Sequence, residues 1–134
     1  AKISGPLLDR IDIHVEVPAL DYNELSRTEP AEPSAEIRSR VIAARAFAAA
    51  RTEGALTCNG LMTPADIRRF CRMDDAGGRL MQTAYDKFAL SARAYDRILK
   101  VARTAADFDK SEIIRKEHIG LALQLRSMSK KYWQ

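Results

Sequence analysis

The chain has 134 residues, 46% of them hydrophobic and 30% charged, an ordinary composition for one domain with a real core. A formal net charge of +4 suits contact with nucleic acid or nucleotide, and is equally common in proteins that touch neither. Two cysteines, Cys58 and Cys71, with no histidine at ligand spacing, exclude a disulfide framework and a closed zinc site, so reduced, partly buried thiols and no metal site are expected. The longest apolar-rich stretch, residues 41–50, is interrupted by Arg45, and no charged-then-apolar leader opens the sequence. No membrane contact and a cytoplasmic location are expected.

Gly5-Pro6 opens a short turn or helical piece through Leu7 and Leu8, which leaves Arg10 at an exposed junction. Ile11, Ile13, Val15 and Val17 then alternate with Asp12, His14 and Glu16, the period of a half-buried strand, and Pro18 ends it. Residues 21–33 are polar and carry Pro30 and Pro33, which reads as a linker with one helical turn over 21–25. A long helix over residues 34–51 follows, with Ile37, Val41, Ala44 and Ala48 on one stripe. Arg38 and Arg45 lie on another, either a solvated face or a surface for a neighbouring subunit. Gly54 closes that helix.

After a loop, Thr63 can cap, Pro64 suits the first helical position and Asp66 complements the dipole of a helix through Cys71. Another helix opens at Asp75, tolerates Gly77 and Gly78, and runs through Leu80, Ala84, Tyr85 and Phe88. A further helix spans residues 91–108 and a last one residues 116–127, with His118 in its first turn. His14 and His118 read as structural or surface residues. Residues 129–134 form a basic and aromatic tail, in which Trp133 either packs or hangs free. The whole is mainly α: one strand, then five helices able to bury one another. A lone strand cannot satisfy its ladder, so this one is expected to be the torn edge of a larger sheet.

The helix from Ser91 carries the most chemistry. With Ser91 at the N-cap, Arg93 takes the second helical position, where free backbone N–H groups and the positive end of the macrodipole favour an anion such as phosphate. Ile98, Leu99, Val101 and Ala102 give an apolar side. Arg93, Arg97, Lys100 and Arg103 are basic, with only Asp96 and Asp107 to offset them. On periodicity alone a basic solvated face is the simpler reading, with Arg93 paired to Asp96. A P-loop enzyme also needs G-x-x-x-x-G-K-[ST] and an acidic strand end for magnesium, and the six glycines never take that arrangement. The chain alone is therefore expected not to hydrolyse ATP.

Residues 91–107, SARAYDRILKVARTAAD, resemble the second lid helix of magnesium-chelatase-like AAA+ ATPases of the ComM/YifB family. Residues 4–18, SGPLLDRIDIHVEVP, and residues 114–119, IRKEHI, followed by Ala122, Leu123 and Gln124, resemble the same family, and Asn59 and Leu61 fit its pattern. The resemblance covers nearly the whole chain. It implies the end of an AAA+ core over residues 1–20, a linker over 21–33 and a C-terminal helical lid over 34–134. By its implication Arg10 is the arginine finger, acting in trans on the nucleotide of the adjacent subunit. Arg93 is the sensor-2 arginine on the ATP phosphates of its own subunit, and Arg97 is a further candidate on the same side. Arg103 and Thr104 belong to a motif concerned with packing and helix-end hydrogen bonds. Ala105 and Phe108 stand where the family more often has larger aliphatics.

For the whole protein the resemblance implies a homo-hexameric ring that uses ATP and Mg2+. It would act on DNA through a core absent here, in branch migration during natural transformation, while this stretch holds no cofactor itself. Two alternatives stay open. One is the lid of a true magnesium-chelatase subunit; the other is a non-enzymatic, basic helical DNA-binding module whose helix contacts DNA phosphates directly. For Arg10 itself the alternative is a simple pairing with Asp9 or Asp12.

Overall fold

A computed structural model describes residues 4–126, and five of the helices it describes begin at a side-chain cap. In chain order they are α1 (Gly5–Arg10), α2 (Tyr22–Leu25), α3 (Ser34–Arg51), α4 (Pro64–Phe70), α5 (Asp75–Phe88), α6 (Ala92–Phe108) and α7 (Lys116–Gln124), with a 3-10 turn at Asn59–Leu61. Asp21, Thr63, Asp74 and Ser91 each accept a first-turn N–H, at 2.7 Å from Glu24, 3.2 Å from Asp66, 2.7 Å from Gly77 and 3.1 Å from Ala94. Thr63 and Asp66 complete a capping box, and their bonds hold the Asp66 carboxyl below its ordinary pKa. Beyond α3, Gly54 adopts a φ of +80° and returns its N–H to Ala49 at 2.9 Å.

The core forms around α6, which packs on α3, α4 and α7, while α5 packs on α7. Ile98, Ala102 and Ala106 recur every four residues on α6 and are buried with Met62, Ile67, Cys71, Met81, Ile114, Ile119 and Ala122. A single parallel bridge between Met73 and Ile114 pins the entry to α5 beside the loop that enters α7. Asp74 donates its N–H to Ile114 at 2.9 Å, and Ile114 donates to Arg72 at 2.8 Å.

Two expectations are corrected. Residues 11–17 are extended, but the described residues contain no strand, because a ladder needs a second strand and none lies beside them. Their alternating aliphatics accordingly stay exposed, from 38% at Ile11 to 85% at Val17. The stripe of α3 is also only half used. Ala44 is its one buried residue, and residues 34–43 are exposed throughout, since no element lies opposite them. The last helix ends at Gln124 with Leu125 as its cap, and the tail with Trp133 lies outside the described residues.

Candidate functional site

Arg93 stands at the second position of α6, and its side chain is exposed. The cap of Ser91 uses the Ala94 N–H. No other described residue forms an ion pair with Arg93, and Asp96 does not take it up. Its guanidinium thus adds an exposed positive charge to the favourable end of a 17-residue helix. Arg10 is the last residue of α1 and is likewise exposed.

Arg97 sits differently. Its Nη1 donates to Asp12 at 2.6 Å and to the Arg10 carbonyl at 2.8 Å, while its Nε is buried without a partner. Arg126 makes a matching pair of contacts, to Asp9 at 3.2 Å and to the Ile11 carbonyl at 3.3 Å. Burial lowers the Arg126 pKa and Asp9 works against that shift. His14 donates its backbone N–H to Leu125 at 2.7 Å, and its Nε2 lies 3.1 Å from the Leu8 carbonyl, which assigns the ring proton to Nε2. The turn around Arg10 is thereby held against α6 and the end of α7.

Residues four apart on a helix share a face, about 6 Å apart along the axis. The Arg97 contact therefore ties the Arg10 backbone to the residue one turn along α6 from Arg93. Asp9 and Asp12, which Arg10 was offered as partners, are taken by Arg126 and Arg97 instead. Below this corner, α5, α6 and α7 enclose an apolar groove of about 680 Å³ lined by Leu80, Ala84, Phe88, Ala94, Ile98 and Leu123.

At the other end of α6, Arg103 is fully buried. It donates to the carbonyls of Phe70 at 3.2 Å, Glu112 at 2.7 Å and Ser111, and to Asp107 at 3.2 Å. Phe70 is the last residue of α4, so the guanidinium satisfies an orphan carbonyl at a helix end. Asp107 also accepts from Arg51 and, at 2.8 Å, from Asn59, which reaches Thr104 at 3.0 Å. Burial and then the Arg51 charge pull the Arg103 pKa down, and Asp107 opposes them. The Arg103–Asp107 spacing of four residues was visible in the sequence. Arg51 was not, because 56 residues separate it from its partner.

Cys71 is buried, which pushes its thiol up to about 11, whereas Cys58 is exposed. His118 accepts the Arg115 N–H at Nδ1, 2.9 Å away, and donates from Nε2 to Asp109 at 2.7 Å, so it serves as a helix cap. Among the described residues no three histidine, cysteine or acidic side chains gather as a metal site. No helix among them is long and apolar enough to cross a membrane.

The family described as magnesium chelatase, subunit ChlI C-terminal, matches residues 31–126. Competence protein ComM of Haemophilus influenzae is 38% identical over 128 residues, 95% of this chain and 25% of that protein. The uncharacterized protein YifB of Escherichia coli is 36% identical over 130 residues, 96% of this chain and again 25% of the relative. The chain thus spans about a quarter of the length of these curated relatives.

Proposed function

This chain belongs to the ComM/YifB family of magnesium-chelatase-like AAA+ proteins, as their C-terminal domain, and from that premise we propose that it is the helical lid of an ATP-driven ring motor acting on DNA. The observation that carries the reading is an exposed guanidinium, Arg93, in the first turn of α6, one turn from the contact that holds the backbone of Arg10. A helix N-terminus with a free arginine suits the phosphates of ATP. A second exposed arginine suits the charge that develops on a transferring phosphoryl group, because it stays ionised and can contact two oxygens at once. The residues present fit phosphate but not its metal: no described carboxylate cluster would hold Mg2+. Bound MgATP supplies the phosphoanhydride that water cleaves. This chain contributes charge stabilisation and the orientation of two arginines, and the phosphate-binding loop belongs to a part of the protein outside this sequence.

The parent would be a hexamer that drives branch migration of DNA during recombination, in line with the competence role in the name of the Haemophilus relative. The reading as a plain DNA-binding helix loses support, because the basic residues it draws on, Arg97 and Lys100, hold Asp12 and the Gly60 carbonyl. The relatives reported also favour the ComM type over a true magnesium-chelatase subunit.

The test uses the full-length protein. Arg93→Ala lowers ATP turnover by tenfold or more, and Arg10→Ala by about 10³-fold, the scale of an arginine finger. The melting of the domain stays within about 0.5 kcal/mol for either, since both side chains are exposed. Rings doped with each variant then report whose site suffers. Loss in proportion to mutant neighbours identifies an arginine that serves the adjacent nucleotide. Turnover unchanged by both substitutions overturns the proposal.

A further inference from the structure

Helix α1 has six residues, too few to be stable alone, so the bonds that tie its end to the bundle fix where Arg10 sits. Those bonds follow one pattern. Arg126, 6% exposed, takes the carboxylate of Asp9 and the carbonyl of Ile11; Arg97 takes the carboxylate of Asp12 and the carbonyl of Arg10 itself. Each guanidinium therefore binds an acid and a backbone oxygen of this segment, and the two sets interleave across Arg10. The His14 N–H on Leu125, at 2.7 Å, closes the segment from the far side.

Two physical consequences follow for Arg10. Its backbone is fixed to α6, the helix that carries Arg93, through a donor with a rigid planar head. Its side chain is also relieved of its own neighbours. Asp9 and Asp12 are the carboxylates nearest to it in sequence, and either would otherwise neutralise it. With both engaged elsewhere, the Arg10 guanidinium is left to solvent.

We infer that Arg97 and Arg126 are positioning residues, a two-arginine cradle that sets the spacing between Arg10 and Arg93 and keeps Arg10 unpaired for its target. The inference rests on the proposed role of Arg10 and adds to it a function for two residues that touch no nucleotide. Arg97 changes here from a phosphate contact to a residue that acts through Arg10.

Arg97 carries the experiment, since its side chain is 26% exposed and its loss leaves the core intact. In the full-length protein, Arg97→Ala lowers kcat for ATP by up to about 100-fold, the effect of an ångström-scale misplacement, with KM nearly unchanged. The double variant Arg10→Ala/Arg97→Ala is no slower than Arg10→Ala alone, because a positioning residue has nothing left to position. In the present chain, Arg97→Ala speeds hydrogen exchange at the His14 amide and leaves the α6 and α7 amides protected. Normal turnover in Arg97→Ala, or a loss that multiplies with that of Arg10→Ala, overturns the cradle and leaves the role of Arg10 standing. Normal turnover in Arg10→Ala overturns that role and the cradle with it.

Discussion

Asp107 is 1% exposed and answers three donors, Arg51, Asn59 and Arg103, so its removal leaves two guanidiniums facing each other without a counter-charge. Breaking a buried ionic cluster from one side costs about 3–5 kcal/mol, and Asp107→Ala is expected to lose stability on that scale in chemical denaturation. Arg93, on the same helix, is exposed and its substitution is expected to leave stability nearly unchanged. The sequence presents Arg93, Arg97, Lys100 and Arg103 as one basic set. Among the described residues each fares differently: Arg93 has no partner, Arg97 holds Asp12, Lys100 the Gly60 carbonyl, and Arg103 sits in a buried cage. Helical periodicity sets the direction of a side chain but not what lies opposite it. The assignment of Arg103 to packing and helix-end bonding came from family resemblance, and the cage of carbonyls supplies its physical basis.

At the scale of elements, α5 turns on two adjacent glycines with opposite requirements. A Cβ on Gly77 would come within 2.8 Å of the Asp74 carboxylate that caps the helix, and within 3.4 Å of backbone at Ile114 and Arg115. A Cβ on Gly78 would meet nothing within 4 Å. Gly77→Ala is expected to cost about 1–2 kcal/mol through loss of the cap, while Gly78→Ala gains up to about 1 kcal/mol of helix propensity. Thermal melts of the two variants should move in opposite directions. The sequence located both glycines inside a helix, but it could not tell them apart, because the backbone that crowds Gly77 comes from the loop before α7. The starts of α4, α5 and α6 were legible to within a residue, since a cap and its first-turn N–H lie within a few positions of each other, with Pro64 added at α4. The unpaired half of α3 was not legible, because an apolar stripe has the same pattern whether or not something covers it.

At the scale of the whole molecule, α3 to α7 pack around α6 and α7, α2 lies exposed, and residues 11–17 run extended with their aliphatics outward. The chain by itself is expected to release no phosphate from ATP above background in a phosphate-release assay, since it contains no glycine-rich phosphate loop. Turnover by this chain alone would require a different site and a different reading of α6. Within the candidate site, the sequence named Arg10, Arg93 and Arg97, but the cradle that joins the first of these to α6 depends on Arg126, 117 residues from its partner Asp9.

By itself, then, the sequence determined where most of the helices begin, the mainly α class and the family, because caps, breakers and motifs act over a few residues and survive in any context. Only the tertiary structure decided which arginine is free, which is buried and which serves another. Those outcomes depend on donors and acceptors up to 117 residues apart that meet only when the bundle closes. The same reason explains the strand that was expected and did not form: alternation supplies one side of a ladder, and pairing requires a neighbour that the described residues do not provide.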